Sequence, residues 1–172
     1  MAGVSHIDEL VDYNQLIVNR ILSSQDVMAL IANDPTLNLD RDEAAEWEKH
    51  VLDHAWIDDT VQEAGAFITV DVDIPNLASG VIKEMRVYVE VLVSKSYMKL
   101  SPSLFKGCKG NRRDNIVRQV DKLINGSYEF GIGKLDLVNI RTVTTANKFA
   151  GKLLTYEVFD FARDRKLDGY GR

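Results

Sequence analysis

The stretch that decides the fold is NRRDNIVRQVDKLING, residues 111–126. Its apolar side chains recur at helical spacing and form one narrow stripe, made of Ile116, Val117, Val120, Leu123 and Ile124. Asn111 or Asp114 can cap the first turn, and Gly126 can end the helix in a left-handed conformation. A stripe this narrow covers one surface only, so the sequence predicts a helix packed across a sheet built from the neighbouring segments.

The segments on both sides of this helix predict strands. Residues 67–74 alternate apolar and polar side chains, and residues 85–94 alternate more regularly, so we expect these two strands to pair antiparallel. Residues 134–143 and 153–161 predict two more strands after the helix. Within the first of them the apolar face switches between Leu137 and Val138, which indicates a bulge or burial on both faces.

The N-terminal third predicts helices. Residues 7–21 carry a helical apolar stripe, a short second helix follows, and a third is expected through Ala44, Trp47, Val51 and Ala55. We therefore predict an α+β fold: a small antiparallel or mixed sheet in the order strand-strand-helix-strand-strand, a helix across it, and a helical N-terminal extension. The expected divisions are a helical segment at 1–56, a core at 57–162 with a long loop at 94–113, and a flexible tail at 163–172.

The loop at residues 94–113 is basic and contains no acid, although the chain carries a net charge of −5. Its cationic residues are Lys95, Lys99, Lys106, Lys109, Arg112 and Arg113. We name it the basic loop. Loops of this length are usually functional or disordered, and basic patches attract nucleic acid and acidic proteins alike. We expect this loop to become ordered on assembly. A solvated loop whose lysines keep the protein soluble and a contact surface for nucleic acid or an acidic partner both remain open.

Acidic residues crowd into residues 40–63, so copies of the chain can meet acid to base, head to tail. A solvated acidic helix face is the alternative. The single cysteine, Cys108, excludes an internal disulfide and fits a reducing compartment. No segment resembles a signal peptide or a membrane span. These features favour a soluble domain.

Three patterns of reactive residues have simpler structural explanations. His50 and His54 have the spacing of two zinc ligands on one helix face, but no third ligand is evident. Asp71, Asp73 and Glu90 on successive strands are similar to a nuclease core, but Lys95 is five residues from Glu90 and so faces the other side of a regular strand. The glycines of residues 131–133 lack the third glycine and following helix of a phosphate loop. We expect no catalytic residues, no metal and no cofactor.

Several stretches together resemble tailed-bacteriophage neck proteins of the tail-terminator and tail-completion type. They are NGS at 125–127 with FGIGKL at 130–135, RDNIV at 113–117, TVDVDIP at 69–75 and LTYEVFDF at 154–161. The resemblance covers roughly residues 57 to 162.

This resemblance implies a structural virion protein of the phage neck, assembled in the host cytoplasm, and not an enzyme. Six copies would form a ring that ends the tail tube and joins it to the head connector, with genomic DNA passing through the lumen without sequence specificity and no membrane contact. The cationic residues of the basic loop would face the lumen or a neighbouring subunit. A connector-adaptor ring of another stoichiometry, a nuclease-like or metal-binding enzyme, and an adaptor for an acidic protein are the alternatives.

Overall fold

The computed structural model describes residues 6–39, 49–54, 64–78, 81–130, 133–145 and 148–159. Its elements are α1 (His6–Leu22), α2 (Gln25–Ala32), β1 (Val51–Leu52), β2 (Ala66–Ala78), β3 (Val81–Ser94), α3 (Arg112–Ile124), β4 (Asp136–Thr145) and β5 (Phe149–Phe159). The five strands form one sheet in the order β1-β2-β3-β5-β4. β1 is parallel to β2 and the other pairs are antiparallel, so the predicted α+β class with a mixed sheet is confirmed.

The two faces of the sheet differ because the side chains of β2 and β3 alternate. On the helix side, Ile68 lies opposite Val91 and Val70 opposite Val89, and all four are fully buried. On the other side, Asp71 lies opposite Tyr88 at the protein surface. The predicted antiparallel pairing of these strands is confirmed, and the apolar face packs against the helices.

Helix α3 follows the sequence prediction closely. Ile116, Val120 and Ile124 are fully buried. The Asn111 side chain caps the first turn by accepting a hydrogen bond from the Asp114 N–H at 2.9 Å. After the helix ends at Ile124, Gly126 has a φ of +76°, a left-handed conformation that glycine adopts without steric cost.

Helices α1 and α2 belong to the same hydrophobic core as the sheet. Ile17 and Ile21 of α1 and Met28 of α2 are fully buried in one cluster with Ile68 and Ile116. The N-terminal helices therefore pack on the sheet and on α3 instead of extending away from them. No helix within the described residues is long and apolar enough to cross a membrane.

The expected helix through Val51 is wrong where the structure describes it. Residues 40–48 and 55–63 lie outside the described part, but Val51 and Leu52 form a strand that pairs with Ile68 and Thr69. The His50 carbonyl accepts a hydrogen bond from the Ile68 N–H at 2.8 Å. The free edge of β2 supplies these partners, and such a tertiary contact overrides local helix propensity.

Two local predictions in the sheet have opposite outcomes. The switch of faces in β4 is a bulge, since the register shifts between Leu137 and Asn139 and leaves Val138 exposed. In contrast, Pro75 and Asn76 were expected in a turn but lie within β2, at a register irregularity. Proline has no N–H to donate to a strand ladder, so it is tolerated where the regular pairing is interrupted, as it is here between Asp73 and Asn76.

Candidate assembly surface

The basic loop is folded against the protein. It begins with a single 3-10 turn, Lys95–Tyr97, and two of its apolar side chains, Leu100 and Phe105, are buried in the core. The Tyr97 hydroxyl also donates a hydrogen bond to the Ile31 carbonyl at 2.9 Å. These contacts anchor the loop to α2, so its exposed side chains have defined positions.

Arg112 is the strongest of these anchors. Its Nε donates to the Tyr97 carbonyl at 2.8 Å, its Nη1 to the Leu30 carbonyl at 2.6 Å, and its Nη2 to Asn33 Oδ1 at 2.6 Å. The guanidinium carbon lies 4.1 Å from the centre of the Tyr97 ring, within the range of a cation–π contact. One side chain thus joins α2, the 3-10 turn and the start of α3.

Arg112 is therefore removed from the predicted contact set. Only 2% of the residue is exposed, and every bond of its guanidinium is internal. Burial lowers the pKa of Arg112, while the nearby Tyr97 opposes that shift. The sequence contained a signal that Arg112 differs from the other cations of the loop. Arg112 follows the Asn111 cap at the first helical position, where the helix dipole disfavours a cation.

Arg113 is also engaged, although less deeply. Its Nε and Nη2 donate to one carboxylate oxygen of Asp114 at 2.9 Å and 2.8 Å. Four cations of the predicted set remain exposed and make no side-chain hydrogen bond or ion pair with described residues: Lys95, Lys99, Lys106 and Lys109. The loop therefore presents four ammonium groups to the exterior.

A groove lies where the basic loop meets α2 and α3. Its volume is about 340 Å³. Its lining residues are Asp26, Ala29, Leu30, Pro35, Leu104, Phe105, Lys106, Cys108 and Gln119. Leu104 is 50% exposed at this groove and Cys108 is partly exposed. The sequence pattern gave no indication of the groove, because its walls come from three separate segments.

The acidic residues of the nuclease hypothesis share one face of the sheet. Asp71 and Asp73 are exposed, and Glu90 is half-buried opposite Thr69. Burial raises the pKa of Glu90, and Arg141 opposes the shift. Within the described ranges no group of three His, Cys, Asp or Glu side chains is arranged to hold a metal ion.

The two histidines do not share a helix face, since the strand β1 separates them. His50 Nδ1 donates to the Ala66 carbonyl at 3.0 Å, and its ring packs on Phe67 with the ring centres 5.2 Å apart. His54 is exposed and its Nδ1 lies 2.7 Å from Asp53 Oδ1. Of the acids in residues 40–63, the structure describes Asp53 alone. Of the glycine pattern at 131–133 it describes Gly133, and the predicted tail at 163–172 lies outside the described residues.

Comparison with known proteins gives one finding. No curated protein and no solved structure has a significant match to the chain. A family model named YomW matches residues 14–158, which include the second half of α1 and nearly the whole sheet. That name comes from a Bacillus phage-like gene region and indicates a phage-associated protein. Because the match covers most of the sequence, the chain belongs to the YomW family.

Proposed function

We propose that this protein is a structural part of a phage virion, a neck ring that ends the tail tube and joins it to the head connector. Six copies close the ring, and the assembly takes place in the host cytoplasm. The role is one of assembly and not of catalysis. The resemblance to tail-terminator and tail-completion proteins suggests this role, and the phage association of the YomW family is consistent with it.

The observation that carries the proposal is the exposed cationic set of the basic loop. Lys95, Lys99, Lys106 and Lys109 stand on a loop that Leu100, Phe105 and Arg112 fix to the core. A positive surface of fixed geometry suits contact with DNA phosphates, which supplies affinity without reading sequence. The same surface also suits an acidic patch on a neighbouring subunit.

The enzymatic alternative has less support. A nuclease of the kind considered needs carboxylates and a lysine gathered around a metal ion, whereas Lys95 lies in the 3-10 turn beyond the end of β3. The described carboxylates of β2 and β3 do not form a ligand group. Zinc binding by His50 and His54 has no geometric support, because a strand lies between them and their side chains are not on one helix face.

The proposal is tested by measuring the mass of the purified protein with light scattering and imaging it by negative stain, alone and within the parent phage-like particle. We expect either a closed ring near six times the 19.4 kDa monomer mass or a disc at the tail–head junction of the particle. Antibody labelling of the particle serves as the control for position. A monomer that occurs nowhere in the particle would contradict the proposal.

A further inference from the structure

The first two turns of α1 expose an apolar patch that has aspartates beside it in the sequence. Ile7 is 69% and Val11 61% exposed, and these side chains lie one turn apart on the same side of the helix. Asp8 and Asp12 are the residues directly after Ile7 and Val11, so they too lie one helical turn apart. Neither acid makes a hydrogen bond or an ion pair within the described part of the chain. We name residues 7–12 the α1 tip.

Only one side of the α1 tip is free of the core: Ile7 and Val11 are exposed, whereas Leu10 between them packs against the hydrophobic core. Beyond the tip, Ile17 and Ile21 are buried, and the Asn14 side chain donates to the Asp53 carbonyl at 2.7 Å, next to β1. The groove, in contrast, is formed by α2, the basic loop and α3. No described hydrogen bond or ion pair joins the tip to the basic loop of the same chain.

The groove has the complementary chemistry. Its apolar wall includes Leu30 and the half-exposed Leu104, and Lys106 is one of its lining residues. Lys109 is exposed and follows the lining residue Cys108 in the chain. Neither lysine has a side-chain partner among the described residues. Asp26 is the acid among its lining residues. An amphipathic helix commonly lies in such a groove with side chains spaced four residues apart as anchors.

We propose that the α1 tip of one copy docks in the groove of a second copy, with Ile7 and Val11 against Leu104 and with Asp8 and Asp12 facing Lys106 and Lys109. The two surfaces of the contact are different, so the contact is heterologous and repeats from copy to copy until a ring closes. This inference rests on the proposed ring function and names its subunit contact. It leaves Lys95 and Lys99 for other contacts, including the lumen.

The single native cysteine permits a direct test, because Cys108 lines the groove. A chain carrying Val11→Cys and Cys108→Ala is mixed with the wild-type chain under mild oxidation. Each chain then has one thiol, so any disulfide is intermolecular. We expect a disulfide between position 11 of one chain and Cys108 of the other, identified by mass spectrometry. The matched control is Asp73→Cys with Cys108→Ala, which places a thiol on another exposed site and should give little mixed disulfide.

Exchange of the charges between the α1 tip and the groove provides an independent test, in chains that retain Cys108. Reversal of Asp8 and Asp12 to lysine, or of Lys106 and Lys109 to glutamate, should weaken self-association by about tenfold or more at low salt, since attractions become repulsions. Both reversals in one chain should restore it to within about threefold of wild type. The control reverses Asp71 and Asp73, exposed acids on the sheet.

The outcomes separate this inference from the proposed function. The docking mode would be overturned, but not the neck role, if rings formed without the 11–108 disulfide and if the charge reversals left their assembly unchanged. The disulfide with charge rescue, in a protein absent from the particle, would support the contact and overturn the neck role. A combined variant that assembles no better than the single reversals would also overturn the docking mode.

Discussion

Replacement of Arg112 by alanine is the sharpest test of how the basic loop is held. The change removes three hydrogen bonds of 2.8 Å or shorter, to Tyr97, Leu30 and Asn33, and the contact of the guanidinium with the Tyr97 ring. It also leaves these acceptors without their partner and opens space beside α2. We expect α2, the loop and the start of α3 to lose their common anchor.

The size of the effect follows from those contacts. A hydrogen bond to a charged group contributes about 1.5–3 kcal/mol, so three give a gross loss of roughly 5–9 kcal/mol. Removal of the buried cation recovers a desolvation cost of several kcal/mol. We therefore expect the free energy of unfolding to fall by about 3 kcal/mol, and the midpoint of thermal unfolding to fall by roughly 6–12 °C.

Urea unfolding followed by circular dichroism measures this change, with two variants for comparison. Arg112→Lys keeps the positive charge but lacks the planar fork of donors, so its loss should be intermediate. Arg113→Ala removes the adjacent arginine, which is bonded to Asp114, and should cost less than about 1 kcal/mol. If Arg112→Ala unfolded within about 1 kcal/mol of wild type, the anchoring role would be refuted.

Two further predictions concern the sheet. Gly151→Ala should lower the free energy of unfolding by about 1–3 kcal/mol in urea titrations, because a Cβ there would lie 2.5 Å from Leu92 Cδ2 and 2.8 Å from the Val91 carbonyl oxygen; stability equal to wild type would contradict this packing. Burial raises the pKa of Glu90 above 4.5, opposed by Arg141, so the penalty for ionising it is absent below that pH and grows as the pH rises. Glu90→Gln should therefore stabilise the protein at pH 7 but not at pH 4, and an equal effect at both values would contradict the burial.

The sequence determined those elements whose pattern is local. The alternation in β2 and β3 fixes which side chains point to the helices, and the 3.6-residue period of α3 fixes its single buried stripe. The Asn111 cap and the left-handed Gly126 were also predictable, since short-range sterics and hydrogen bonding decide both. The α+β class follows from these elements and their order.

Only the tertiary structure decided which residues meet across the chain. Val51 is a strand residue because β2 offers it an edge, and Arg112 is an internal tie because Leu30 and Asn33, about eighty residues earlier, present oxygens to it. The groove beside Leu104 exists for the same reason. Residue patterns encode side-chain periodicity within one element, whereas burial and partners depend on how separate elements pack. For this protein the sequence therefore determined the layers of the fold, and packing alone decided which cations of the basic loop face outward.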